Sequence, residues 1–79
     1  MTASEFKQFS KEQRYLIVRD RSVFLASRMH NGYQVGLYRI GDLYVEVWKR
    51  LGLDYIDFIE PVEEPRVRDA YLDGLDLPL

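Results

Sequence analysis

The spacing of apolar residues in the first third of the chain predicts an amphipathic helix. Ser10 and Gln13 have the spacing of a capping box, in which each side chain accepts a hydrogen bond from the other residue's backbone N–H. Residues that share one helical face then recur at alternating intervals of three and four, at Tyr15, Val18, Ser22, Leu25 and Met29. We therefore predict a helix that starts at Ser10 and ends at Asn31-Gly32.

A strand is the alternative interpretation of residues 23–29. Asn31 and Gly32 both tolerate the left-handed backbone conformation, which suits a helix C-terminus and a tight hairpin turn equally well. We favour the helix because the three-and-four spacing continues through residue 29. The strand stays open as the competing prediction.

The middle of the chain alternates with period two, which is typical of strands. Residues 33–38 and 43–48 alternate in this way on either side of Gly41-Asp42, and this pattern predicts a β-hairpin. Residues 55–59 are rich in β-branched and aromatic side chains and predict a third strand, which stops at Pro61.

A short helix is predicted from Glu64-Pro65, with Val67, Ala70 and Tyr71 on one face and Gly74 at its end. The predicted fold class is therefore α+β, in which an N-terminal amphipathic helix packs on a three-stranded antiparallel β-meander followed by a short C-terminal helix. We expect a single domain over residues 1–79, with residues 1–9 flexible and residues 74–79 forming an apolar docking tail.

The two faces of the predicted hairpin differ in character. The face expected to seat the N-terminal helix is aliphatic and carries Val35, Leu37, Leu43, Val45 and Val47. The opposite face carries three large aromatic side chains, Tyr38, Tyr44 and Trp48. Either the acidic C-terminal segment covers them and brings Tyr71 or the tail leucines against Trp48, or they bind a protein partner or a second copy, or they stack on bases.

The last residues place Leu75, Leu77 and Leu79 at period two in an acidic segment. Such an apolar tail is expected to dock, either on its own domain or as an added strand or groove ligand on a partner. The candidate partner-binding residues are therefore Tyr38, Tyr44, Trp48 and these three leucines.

Composition limits the functions that the chain can perform. The chain has 79 residues, no Cys and a formal net charge of -2, so a large enzyme, disulfides and thiolate metal sites are excluded. Residues 1–53 carry nine Lys and Arg against five Asp and Glu, whereas residues 54–79 carry two against eight. The pI of about 5.3 argues against binding to nucleic acid. No apolar run is long enough to span a membrane. Because the chain has no Cys and the polar start Met1–Glu5 lacks the layout of a secretory signal, we expect a cytoplasmic protein.

No set of residues predicts catalysis, a metal site or a cofactor. His30 is the single histidine, and it adjoins the Asn31-Gly32 turn. Asp54, Asp57 and Glu60 lie three residues apart, but on the predicted strand Asp57 and Glu60 point to opposite faces. We therefore expect no catalytic residue, no bound metal and no cofactor.

Three segments resemble a set of small uncharacterised bacterial proteins. They are Phe24-Leu25-Ala26 with Arg28, then Gly32-Tyr33 with Val35 and Leu37-Tyr38, and then Tyr44-Val45-Glu46-Val47-Trp48. The likeness spans roughly residues 12–73, ends near Tyr71-Leu72, and departs from the pattern at Lys49-Arg50. It implies a helix followed by an antiparallel meander in a bacterial cytoplasmic protein, and it implies no activity.

A shorter stretch resembles the central meander of RelE/ParE-type toxins. It covers residues 36–42 and then Tyr44, Val45 and Val47. This resemblance implies that Arg28 and Arg39 lie together on an open basic face and act on RNA or a protein target. The acidic C-terminal third departs from the basic surface of such toxins. The function expected first is therefore a non-enzymatic protein-interaction module, with the toxin as the alternative.

Overall fold

A computed structural model of the chain describes residues 1–71, apart from the side chains of residues 66, 68 and 69, and has the α+β architecture that the sequence predicts. Its elements in chain order are α1 (Ala3–Lys7), α2 (Lys11–Arg21), β1 (Val23–His30), β2 (Tyr33–Ile40), β3 (Leu43–Arg50), β4 (Tyr55–Val62) and α3 (Glu64–Tyr71). The tail leucines Leu75, Leu77 and Leu79, and the helix end predicted at Gly74, lie outside the described residues.

The sheet is an antiparallel meander of four strands in the order β1-β2-β3-β4. The prediction of three strands is wrong, because residues 23–29 belong to β1 and not to the N-terminal helix. Asn31 and Gly32 form the two-residue turn between β1 and β2, with φ values of 46° and 84°. Two successive positive φ values are what a type I′ hairpin turn needs, so the competing strand interpretation of this segment is confirmed.

Helix α2 begins where the sequence predicts and ends earlier. The Ser10 hydroxyl accepts from the Gln13 backbone N–H at 3.1 Å and the Gln13 side chain accepts from the Ser10 N–H at 2.9 Å, which confirms the capping box. At the other end, the hydroxyl and the N–H of Ser22 both donate to the Val18 carbonyl, at 2.5 and 3.2 Å. Ser22 is itself extended, so the chain leaves the helix there and enters β1.

Each face of the sheet carries a hydrophobic cluster. On the side covered by α1 and α2, here called the α2 side, the buried residues are Phe6, Val18, Ile40, Leu43, Val45 and Ile59. On the side covered by α3, here called the α3 side, Leu37, Val67 and Tyr71 are buried, with Tyr44 and Val62 packed against them. The expectation that Val67, Ala70 and Tyr71 share a face is confirmed, since all three belong to this second cluster.

The predicted aliphatic face is divided between the two sides of the sheet. The two-residue turn at Gly41-Asp42 pairs Ile40 with Leu43, and therefore Tyr38 with Val45 and Leu37 with Glu46. Because directly opposed residues of an antiparallel pair project to the same face, Leu37 lies on the α3 side while Val45 lies on the α2 side. The assignment of Val35 and Leu37 to the face of Leu43, Val45 and Val47 is therefore wrong.

Residues 1–9, expected to be flexible, contain the short helix α1. Thr2 and Glu5 form a second capping box, and Phe6 is fully buried in the cluster on the α2 side. Arg14 joins this segment to α2 and β4, because its guanidinium donates to the carbonyls of Lys7, Phe9 and Ile59 at 2.8 to 2.9 Å. The N-terminal segment is thus part of the packed domain.

Strand β4 continues through Pro61 to Val62, so the prediction that Pro61 stops the strand is wrong. A proline lacks the backbone N–H, and this loss is tolerated on the outer strand of a sheet. Helix α3 then starts at Glu64, as predicted, and packs on the face that carries Tyr44 and Trp48. Of the three aromatic residues that the C-terminal segment was expected to cover, Tyr44 packs against this helix.

Candidate functional site

The three aromatic residues predicted to form one contact patch do not lie on one face. Tyr44 packs against the cluster beneath α3, and Trp48 lies on the same side of the sheet. Tyr38 lies on the α2 side, where its ring makes an edge contact with Phe24 at 5.4 Å between centroids. The predicted grouping of Tyr38 with Tyr44 and Trp48 is therefore wrong, for the same reason of register that divides the aliphatic face.

Trp48 is half-buried among side chains from three other strands. Its ring lies edge-on to His30 and Tyr33, at centroid distances of 5.8 and 5.6 Å, and the Arg28 guanidinium stacks on it at 5.2 Å. Phe58 is its direct neighbour on β4. Trp48 therefore packs against residues of its own domain on the α3 side of the sheet.

A buried polar cluster fastens α3 to the sheet. Glu46 is only 3% exposed, and its Oε2 accepts from the Tyr71 hydroxyl at 2.6 Å and from Arg28 Nη2 at 3.2 Å. The Arg28 guanidinium lies between the rings of Trp48 and Tyr71, while its Nε is buried without a partner. Burial, reinforced by the hydrogen bond to Glu46, raises the pKa of the Tyr71 phenol well above its usual value. The cluster therefore holds Tyr71 as a neutral donor and serves to position α3.

Arg28 and Arg39, which the toxin resemblance would place together, are separated. Arg28 lies opposite Val35, whereas Arg39 is four residues further along β2, a distance of about 13 Å along a strand. Arg28 also forms an ion pair with Glu46. The described residues therefore do not join these two arginines in an open basic face.

A second polar cluster lies at the far end of the same side. Asp57 is the extra residue of a β-bulge in β4, and the bulge turns its carboxylate toward the α3 side. There its Oδ2 accepts from the Tyr33 hydroxyl at 2.7 Å and from Arg50 Nη2 at 2.6 Å. The hydrogen bond from Tyr33, and then the one from Arg50, hold the pKa of Asp57 below its ordinary value. Glu60 pairs with Glu46 and lies on the same side by register, so the prediction that Asp57 and Glu60 point to opposite faces is wrong.

Because the pKa of Asp57 is lower in the folded state than in the unfolded chain, its contribution to stability is present above the unfolded value of about 3.8 and is lost as the pH falls through the folded value. We expect Asp57→Asn to lower Tm at neutral pH and to show a shallower decline of Tm below about pH 4 than the wild type. Melting curves between neutral pH and about pH 2 measure this, with Asp42→Asn in the exposed β2-β3 turn as the control. If Tm declined equally steeply below about pH 4 in Asp57→Asn and in the wild type, the stabilising role given to Asp57 would be contradicted.

The α2 side carries an open apolar surface that the sequence analysis missed. Two adjoining hollows of about 300 and 310 Å³ share Phe24, Tyr38, Val47 and Ile56, and Tyr15 of α2 lines one of them. We call this surface the apolar groove and define it by these five residues. Phe24 is 57% exposed, and the Tyr38 ring lies over Gly36, where an added Cβ would come within 2.9 Å of Tyr38 Cε2.

The groove exists because α2 is short. The helix lies against β2 and β4 and ends at Arg21, so it leaves the β1 end of the sheet uncovered. If the helix continued to Met29, as the sequence pattern favours, residues 23–29 would not form β1 and the groove would not exist. The signal that could have revealed the surface is the Asn31-Gly32 turn interpreted as a hairpin.

The groove adjoins the free edge of β1. Among residues 1–71 this strand pairs only with β2, and three of its apolar residues, Val23, Phe24 and Met29, are exposed. An unpaired strand edge offers a row of backbone donors and acceptors to another strand. Groove and edge together form the candidate site for binding a protein.

The described residues show neither a metal site nor a membrane-spanning helix. Among the side chains that the structure describes, no group of three or more His, Asp or Glu is arranged to hold a metal ion, and no helix of residues 1–71 has the length and hydropathy to span a bilayer. Comparison of the chain with family models, with curated proteins and with solved structures gives no match.

Proposed function

We propose that this chain is a small protein-interaction module that binds its partner through the apolar groove and the free edge of β1. The observation that carries the proposal is the exposure of Phe24 at the point where the groove meets the edge. Large apolar side chains that are exposed and contiguous mark protein-binding surfaces, since monomeric proteins rarely leave such a patch open.

The contrast between the two sides of the sheet supports this location. On the α3 side, the helix covers Leu37 and Tyr44, and the polar cluster around Glu46 ties it down. On the α2 side, α1 and α2 bury only one part of the sheet, and Tyr15 and Leu16 of α2 are themselves half exposed. Of the aromatic residues first considered, Tyr38 is the one that belongs to the proposed contact.

Exposed backbone at the edge adds affinity to the apolar contact, and the side-chain positions add specificity. A strand added at β1 gains main-chain hydrogen bonds, and alternate side chains of that strand meet the groove or the α3 side. The proposed ligand is therefore an extended segment with apolar side chains, from a protein partner or from a second copy. No covalent chemistry, metal or cofactor is part of the proposal.

Site-specific photo-crosslinking tests this function. Phe24 is replaced by a photoreactive phenylalanine analogue, with the same replacement at Phe58 as the matched control. Phe58 is also exposed, at 47%, but it lies on the α3 side. We expect a discrete protein adduct from position 24 and none from position 58, in lysate where the partner is another protein and with the purified chain where the partner is a second copy. Absence of an adduct at position 24, or equal yields at the two positions, would contradict the proposal.

A further inference from the structure

We propose that the occupant of the free edge is a second copy of this chain, with the two β1 strands paired antiparallel about a two-fold axis at Ser27. The sheet of the dimer then runs without interruption through eight strands. This inference rests on the proposed function, because it names the partner that uses the groove and the edge.

The two outer strands of the sheet differ in how well they are protected. Strand β4 carries Pro61 within its length and has α1 packed against it. Both features are devices that stop a strand edge from pairing with another chain. Strand β1 has eight residues without proline, and Arg28 is its only Lys or Arg. Within residues 1–71 the edge of β1 is therefore the one available for pairing.

Hairpin geometry determines which backbone groups of β1 face outward. In a two-residue hairpin the residues that flank the turn, here His30 and Tyr33, form a hydrogen-bonded pair, and bonding alternates from there along the strands. Ser27 and Met29 are then the residues whose N–H and C=O point away from β2. In the proposed dimer Ser27 and the partner's Ser27 exchange both hydrogen bonds.

The side chains of β1 are complementary to themselves about this axis. Phe24, Ser27 and Met29 lie on the α2 side, opposite Tyr38, Gly36 and Gln34 of β2. The register shift between Phe24 and Ala26 makes Leu25 an extra residue, so Phe24 and Met29 are equally spaced from Ser27.

Phe24 therefore faces the partner's Met29, and Met29 faces the partner's Phe24. On the α3 side Arg28 faces the partner's Ala26, so the pairing brings no like charges opposite each other. In the dimer, Phe24 and Met29 of each copy are buried against the partner's Met29 and the partner's Phe24.

The size of the contact predicts its strength. A strand of eight residues is about 27 Å long, and its edge provides less than the roughly 800 Å² per partner of a standard stable complex. Main-chain hydrogen bonds and the four apolar side chains still favour association. We therefore expect a concentration-dependent dimer with a Kd in the micromolar range.

Sedimentation equilibrium of the full chain, from low micromolar to millimolar concentration, tests the inference. We expect the mass to rise from the 9.4 kDa of one chain toward twice that value. Ser27→Pro removes an outward-facing donor and is expected to abolish the dimer, whereas Ser27→Ala keeps the N–H and the dimer. Circular dichroism shows that each variant is folded.

A second pair of variants is independent of the proline. Met29→Lys and Leu53→Lys each place a charge at an exposed apolar residue, 62% and 66% exposed, but only Met29 lies on β1. We expect Met29→Lys to weaken the dimer at least about tenfold, a loss of about 1.4 kcal/mol, and Leu53→Lys to leave it unchanged.

A mass that stays at one chain throughout the concentration range overturns the dimer. If position 24 still cross-links to another protein, the proposed function stands without it. A dimer that persists in both Ser27→Pro and Met29→Lys overturns the β1 pairing. Adducts of two copies at position 24, lost in Ser27→Pro, support both proposals, and a monomer without any adduct at position 24 contradicts both.

Discussion

Phe6→Ala is expected to lower the free energy of unfolding by about 3–5 kcal/mol, the cost of deleting a large side chain from a well-packed core. Phe6 is fully buried, and it is the one buried residue of α1. A helix of five residues has too few hydrogen bonds to be stable alone, so its place in the fold depends on this side chain. The Arg14 guanidinium lies over the Phe6 ring at 5.5 Å and would lose that contact as well.

Chemical denaturation followed by circular dichroism measures this loss. Phe58→Ala is the matched control, because it makes the same chemical change at a side chain that is half exposed, and we expect it to cost about 1 kcal/mol or less. Equal losses for the two variants would show that α1 contributes little to the core.

Arg28→Ala is expected to cost about 3 kcal/mol, because it leaves the buried carboxylate of Glu46 without its positive partner. The Tyr71 hydroxyl remains as a donor to Glu46 Oε2, but a neutral donor compensates a buried charge only in part. The variant also removes the guanidinium that separates the rings of Trp48 and Tyr71. Since Tyr71 holds the end of α3, we expect this helix to loosen first.

A double-mutant cycle identifies the cause. In Arg28→Ala/Glu46→Gln the buried charge is gone, so the double variant is expected to be more stable than Arg28→Ala alone. Arg39→Ala is the control for arginine on the same side of the sheet, because Arg39 forms no ion pair with any residue from 1 to 65. A double variant less stable than Arg28→Ala would refute the role given to the ion pair.

Local signals in the sequence were sufficient for much of the fold. The capping box at Ser10, the period of two around Gly41-Asp42 and the Glu64-Pro65 start of α3 each correspond to an element of the structure. They succeed because each depends on hydrogen bonds or steric limits among residues close together in sequence.

The end of α2 could not be predicted from periodicity. A β-bulge at Leu25 shifts the alternation in β1, so Val23–His30 does not show the strict period of two that marks a regular strand. Pairing with β2 then decides the conformation, and that pairing is a tertiary contact.

The prediction that Tyr38, Tyr44 and Trp48 share one face was wrong because it ignored the register between β2 and β3. A two-residue turn requires that even-numbered residues of β2 face odd-numbered residues of β3, which places Tyr38 opposite Val45 and away from Trp48. This information was present in the length of the turn. The buried cluster of Glu46, Arg28 and Tyr71 was not accessible in the same way, because it joins three elements far apart in sequence.

The meander topology also determines when each part of the chain can fold. Every strand pairs with its neighbour in sequence, and the first two connections have only two residues, so the three hairpins close small loops at low entropic cost. The N-terminal helices are the exception, since Phe6 shares its core with Ile59 of the last strand. During synthesis Phe6 can therefore reach its full packing only after β4 has left the ribosome, although α1 precedes every strand in the chain.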